Sequence, residues 1–116
     1  MAKLYESVQE FLEAFRTKSS VFGIIFTSRE KNTQTLLDLE LTVEQLKGKL
    51  LELTVQDYSQ GPTEDQQFNG ASLWVFGKQI KGKEIYIKIT LGHFGDCTVC
   101  ISFHEAEFPM RYPLRN

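Results

Sequence analysis

Apolar residues recur at Leu4, Val8, Phe11, Leu12 and Phe15, with Glu6, Glu10, Glu13 and Arg16 between them. The spacing i, i+4, i+7, i+8, i+11 draws one apolar stripe on a helix, so residues 3–18 are expected to form a core-facing helix. Residues 21–26 (VFGIIF), bounded by Ser19-Ser20 and Thr27-Ser28, read as a short buried strand. Residues 32–41 support one short helical turn. Thr42 and Gln45 have the spacing of a capping box, and Leu46, Leu50, Leu51 and Leu53 then give a second helix at about 43–52. Residues 57–70 (DYSQGPTEDQQFNG), polar and holding Pro62 and two glycines, read as a loop long enough to carry function.

Beyond that loop the period drops to two. Three strand-like runs, 73–80, 84–91 and 97–104, are separated by Lys81-Gly82-Lys83 and by residues 92–96, which predicts an antiparallel meander. Ile85, Ile87, Ile89 and Leu91 alternate with Glu84, Tyr86, Lys88 and Thr90. In the last run Val99, Ile101 and Phe103 alternate with Thr98, Cys100, Ser102 and His104. Antiparallel pairing across the 92–96 turn brings Tyr86 and Lys88 opposite the 100–104 stretch on a shared polar face. Residues 107–116 (EFPMRYPLRN), with Pro109 and Pro113, should run as an extended tail over the surface. The expected fold is α+β in one domain, 1–116: two N-terminal helices packed on a mainly antiparallel sheet that ends in the three-strand meander.

Composition narrows the class. Hydrophobic residues at 41% and charged residues at 24% are the balance of a globular chain with one core, not of a disordered or collagenous one. The longest apolar run, 21–26, is far below the ~18–20 residues of a membrane span, and the N-terminus lacks a charged-then-apolar leader pattern. A cytoplasmic location with no membrane partner is the expectation, in keeping with only two cysteines, Cys97 and Cys100. Net charge is −2, but the sign divides along the chain. Residues 1–70 carry seven Lys/Arg against eleven Asp/Glu, and residues 71–116 six against four.

Tyr86, Lys88 and His104, with Arg111 and Tyr112 arriving from the tail, contain the groups that metal-free RNA cleavage needs. That reaction uses a base for the ribose 2′-OH, an acid for the leaving 5′-oxygen and fixed positive charge at the phosphate. His104 suits acid or base work, Lys88 and Arg111 suit the phosphate, and Tyr86 can position the hydroxyl or pass a proton. Any solvated sheet face carries Lys, Tyr and Thr, so residue types alone do not make a site. Lys78 depends on hairpin register. A two-residue Lys81-Gly82 turn sets it with Trp74 and Phe76, whereas a three-residue loop sets it beside Tyr86. Cys97 and Cys100 have C-x-x-C spacing but fall on a strand instead of a helix N-terminus, which argues against redox chemistry. His93 and His104 have no carboxylate at ligand spacing, so no metal or other cofactor is expected.

Across residues 35–104 the chain resembles the motility quorum-sensing regulator (MqsR) toxins of bacterial type II toxin-antitoxin systems. The likeness runs through Thr35-Leu-Leu, LELTVEQLKGKLLELTVQDY (39–58), Leu73-Trp74, EIYIKIT (84–90) and CISF (100–103), with helix, strand, helix, loop and antiparallel strands in the same order. It implies a RelE-like fold and a metal-independent endoribonuclease that cleaves mRNA. It also implies an antitoxin partner encoded alongside, with a helix-turn-helix domain. The family's active-site tyrosine maps onto Tyr86 and the lysine two residues on maps onto Lys88. Two positions depart: Gln60 stands where the family has a lysine, and Val75 where it has a glutamine. On this reading Gln60 stays a substrate contact, Lys78 offers replacement positive charge, and His104, Arg111 and Tyr112 join from a tail that runs past the family's usual end. The alternative is a non-catalytic interaction module on the same fold, binding its partner through a sheet edge.

Overall fold

A computed structural model describes residues 2–65, 71–93 and 95–115. The elements are α1 (Ala2–Phe22), β1 (Ile24–Phe26), α2 (Glu30–Leu39), α3 (Val43–Leu51), a 3-10 turn (Val55–Asp57), β2 (Tyr58–Asp65), β3 (Ala71–Ile80), β4 (Lys83–Thr90) and β5 (Thr98–Glu105). The fold is α+β, three helices with a five-stranded mixed sheet in the order β1-β5-β4-β3-β2. β1 runs parallel to β5, and the other three pairings are antiparallel.

The helical stripe is as expected: Val8, Phe11, Leu12 and Phe15 are buried. Phe11 stacks on Trp74 with ring centroids 4.6 Å apart, and Phe76 lies 6.1 Å away. Below them Ile85, Ile87 and Ile89 are fully buried. Leu36 and Leu39 of α2 and Leu46 and Leu50 of α3 join the same core. The Thr42/Gln45 capping box forms in both directions, at 3.1 and 2.9 Å. Arg16 of α1 donates to the carbonyls of Leu51 and Leu53, satisfying backbone at the C-terminus of α3 and just beyond it.

Four expectations change. First, α1 continues through Phe22, and the anticipated strand shrinks to Ile24–Phe26. Gly23 closes the helix, its N–H donating to the Ser19 carbonyl at 2.8 Å. Second, residues 32–41 make a full helix, α2, beginning at Glu30. Third, the polar stretch read as a loop holds the edge strand β2. Its pairing with β3 shifts register twice, between Tyr58 and Gln60 and between Gln60 and Thr63, which breaks the alternation that would have revealed it. The rest of that stretch, residues 66–70, lies outside the described residues. Fourth, β5 carries a bulge. Lys88 pairs with Ser102 but Ile89 pairs with Cys100, leaving Ile101 as the extra residue. The bulge inverts the parity of everything before it. Cys100 therefore joins the core, fully buried, and Thr98 meets Ser19 of α1 at 2.7 Å, so neither lies on the polar face.

The hairpin question is resolved by Lys81 and Gly82, with φ of 51° and 83°: a two-residue turn with both centres left-handed. Lys78 then pairs with Ile85 and Gly77 with Tyr86.

Candidate functional site

The outward residues of β4 and β5 form the floor of a cleft of about 830 Å³. Tyr86 faces His104 across the ladder and Lys88 faces Ser102. The Tyr86 and His104 rings lie 5.2 Å apart at 15°, nearly parallel, and the Lys88 Nζ sits 5.9 Å from the Tyr86 ring centroid. Ser59 and Gln60 of β2 extend the floor, Gln60 standing beside Val75, which in turn pairs with Lys88. Pairwise register in the sheet therefore gathers a phenol, an imidazole, an ammonium and an amide from three strands.

One wall is the start of α2, contributing Arg29, Glu30, Lys31 and Asn32. Asn32 explains its position. β1 stops pairing with β5 at Cys100, and beyond that point the buried Asn32 amide takes a strand's place. It donates to the Ile101 carbonyl at 2.9 Å and accepts from the Phe103 N–H at 3.0 Å. The opposite wall is the tail, from Ala106 to Arg111. Glu84 holds it by two backbone amides: its carbonyl accepts from the Ala106 N–H at 2.9 Å, and its carboxylate from the Met110 N–H at 3.3 Å. A Lys31–Glu107 ion pair ties one wall to the other.

The lining carries four basic side chains, Arg29, Lys31, Lys88 and Arg111, against Glu30 and Glu107. Lys31 and Glu107 neutralise each other, and the neighbouring ammonium holds the Glu107 carboxyl below its usual range. Among the described residues, no ion pair engages Arg29, Lys88 or Arg111. A concave surface with such a surplus concentrates anions, although the whole chain is acidic.

The His104 Nδ1 lies 3.0 Å from the Glu105 carbonyl oxygen. A carbonyl only accepts, so Nδ1 carries the proton of the neutral ring and Nε2 keeps its lone pair. Partial burial raises the Tyr86 phenol above its ordinary value, with the nearby Gln60 side chain acting in the opposite sense. Tyr86 therefore holds its proton at neutral pH.

Five of the seven residues singled out from sequence line this cleft: Tyr86, Lys88, His104, Arg111 and Gln60. The other two lie elsewhere. Lys78 is on the other face of β3, 3.6 Å from the buried Asp57. Tyr112 anchors the tail, its hydroxyl donating to Glu84 at 2.8 Å. Sequence reasoning missed Arg29, Ser59 and Phe108. Nothing near Arg29 in the chain announces that α2 meets β5. Ser102 was on the expected polar face but had no chemistry attached to it.

No family model, curated protein or solved structure matches this chain.

Proposed function

We propose that the chain is a metal-independent endoribonuclease that cleaves single-stranded mRNA, the toxin of a type II toxin-antitoxin pair of MqsR and RelE-like kind, acting in the cytoplasm and neutralised by a helix-turn-helix antitoxin. The observation that carries the reading is the stacked Tyr86–His104 pair beside Lys88, at the bottom of a cleft with surplus positive charge. The MqsR-like run of residues, with Tyr86 and Lys88 at the family's tyrosine and lysine, supplies the rest of the support.

His104 Nε2 takes the proton from a ribose 2′-OH, whose oxygen attacks the adjacent phosphorus. Tyr86, still protonated, gives its proton to the departing 5′-oxygen. The products are a 2′,3′-cyclic phosphate and a free 5′-OH. Lys88 and Arg111 hold the phosphate oxygens, where negative charge grows in the transition state. Gln60 orients the Tyr86 phenol and contacts substrate, in place of the family's lysine. Lys78 and Tyr112, expected at the substrate, lie outside the cleft lining and help hold the tail, through Asp57 and Glu84.

The test is incubation of the protein with a long unstructured RNA in EDTA, beside Lys88→Ala. Selective cuts with 2′,3′-cyclic phosphate ends, lost in the variant, are expected. Cuts that persist in Lys88→Ala would overturn the site.

A second reading has one observation in its favour. At the sheet edge, Ile25 within β1 and Val21 and Phe22 just before it are exposed. Apolar side chains exposed together at a sheet edge favour contact with a partner chain. Intact RNA in both samples, with no growth arrest on expression in bacteria, favours this non-catalytic interaction module.

A further inference from the structure

Phe108 is the most exposed large hydrophobic side chain among the described residues, at 78%, and it sits on the cleft's tail wall. The chain around it is held on both sides. Ala106 and Met110 are both hydrogen-bonded to Glu84, and Glu107 is tied to Lys31 across the cleft. Residues 107–109 thus bridge the two anchors, with the chain bent at Glu107 and Phe108. Pro109 restricts the backbone of Phe108 to extended conformations, so the ring is presented by a pinned segment instead of a free end.

An exposed aromatic ring on a pinned backbone, flanked by cations that have no ion-pair partner among the described residues, has the two elements of a single-strand nucleic-acid groove. The cations follow the phosphates, and the ring offers a face to an unstacked base. Arg111 lies three residues further along the same wall, and Arg29 stands on the wall opposite.

We propose that Phe108 is a base-stacking platform that takes an unpaired base next to the scissile phosphate, so that the cleft selects single-stranded over double-stranded RNA. This rests on the ribonuclease reading and adds to it a residue outside the Tyr86/Lys88/His104 set. The platform is independent of base identity, because every base has a π-face. A duplex keeps its bases stacked and offers none to the ring.

The test is binding of a randomised single-stranded oligonucleotide with 2′-fluoro sugars, which lacks the attacking hydroxyl and stays intact. The protein is compared with Phe108→Ala, Phe108→Leu and Phe108→Trp, and each is also titrated with the duplex form. Phe108→Ala should bind the single strand about ten-fold more weakly, Phe108→Leu nearly as weakly, and Phe108→Trp at least as well as Phe. The salt dependence should be unchanged, since no phosphate contact is removed. Duplex binding should be weaker and insensitive to all three substitutions. Thermal midpoints should agree, because the side chain is exposed. Tight single-strand binding that ignores position 108 would overturn the platform, leave the ribonuclease reading standing and make a protein partner the better occupant for Phe108. Failure of every form to bind any RNA would overturn both.

Discussion

Two basic clusters lie at opposite ends of the same tail, and they differ in what surrounds them. At one end Lys78 and Arg115 converge on the buried Asp57, at 3.6 and 3.7 Å. Arg115 also covers the Tyr112 ring at 3.7 Å and donates to the Gln56 carbonyl at 3.0 Å. Every charge there has a partner, and the cluster serves as a clamp. At the other end Lys88, Arg29 and Arg111 line an open cleft, and among the described residues no ion pair engages any of the three. Matched charges hold the chain to itself, whereas unmatched charges in a concavity are left to attract an anion. Lys78 and Lys88 stand on neighbouring strands, and their fates are separated only by the face of the sheet each occupies.

The sharpest break in this comparison is catalytic. Lys88→Ala and His104→Ala should each lower RNA cleavage by about 10²-fold or more, on the scale of general acid–base and charge-stabilising groups. Each should leave the thermal midpoint within a few degrees. Loss of the folded state in both variants would make these residues structural. Next in size is Gly77→Ala. A Cβ at Gly77 would lie 2.2 Å from the Tyr112 hydroxyl and 2.8 Å from the Met110 sulfur, so the Tyr112 and Met110 side chains that pin the tail must give way. A loss of about 1–3 kcal/mol is expected from overpacking, read as a lowered urea midpoint. Cleavage should also weaken, because the wall carrying Arg111 moves with the tail. An unchanged midpoint would show that the tail is not clamped there.

Smaller effects distinguish the clusters from each other. Lys78→Ala should lower stability by up to about 1 kcal/mol, as for a partly exposed ion pair, and leave RNA affinity alone. Arg111→Ala should do the reverse, weakening affinity and reducing the salt slope of binding by about one. The smallest effect is alkaline. Burial pushes the Cys100 thiol up to about 12, and burial with the Glu84 hydrogen bond raises the Tyr112 phenol. Between about pH 9 and 12 the unfolded chain releases the thiol proton while the folded chain keeps it. The unfolded state then binds fewer protons, and stability falls as pH rises. Cys100→Ala should flatten that fall, as measured by urea unfolding across the window.

Local patterns were readable wherever they expressed a regular period. The α1 stripe, the Thr42/Gln45 capping box and the β4 alternation of Ile85, Ile87 and Ile89 against Tyr86 and Lys88 appear in the structure as their spacing requires. The meander placed Tyr86 and Lys88 opposite the 100–104 stretch, and the bulge set the pairing of Tyr86 with His104 itself. Period-two reasoning failed at the bulge around Ile101, where one added residue turned Cys100 inward. It failed again in β2, whose two register shifts left a polar segment with no alternation to read.

Taken alone, the sequence determined the α+β class, the helical and strand periods and the polar face bearing Tyr86, Lys88 and His104, because those depend on residues two to four positions apart. Tertiary structure decided which face Lys78 took, through the left-handed Lys81-Gly82 turn. It also decided that Asn32 brings Arg29 to the end of β5, and that Glu84 and Asp57 fold the tail into a wall. Those contacts join residues 26 to 69 positions apart, and no periodic pattern carries information over such separations. They are selected by geometry and charge once the sheet has formed.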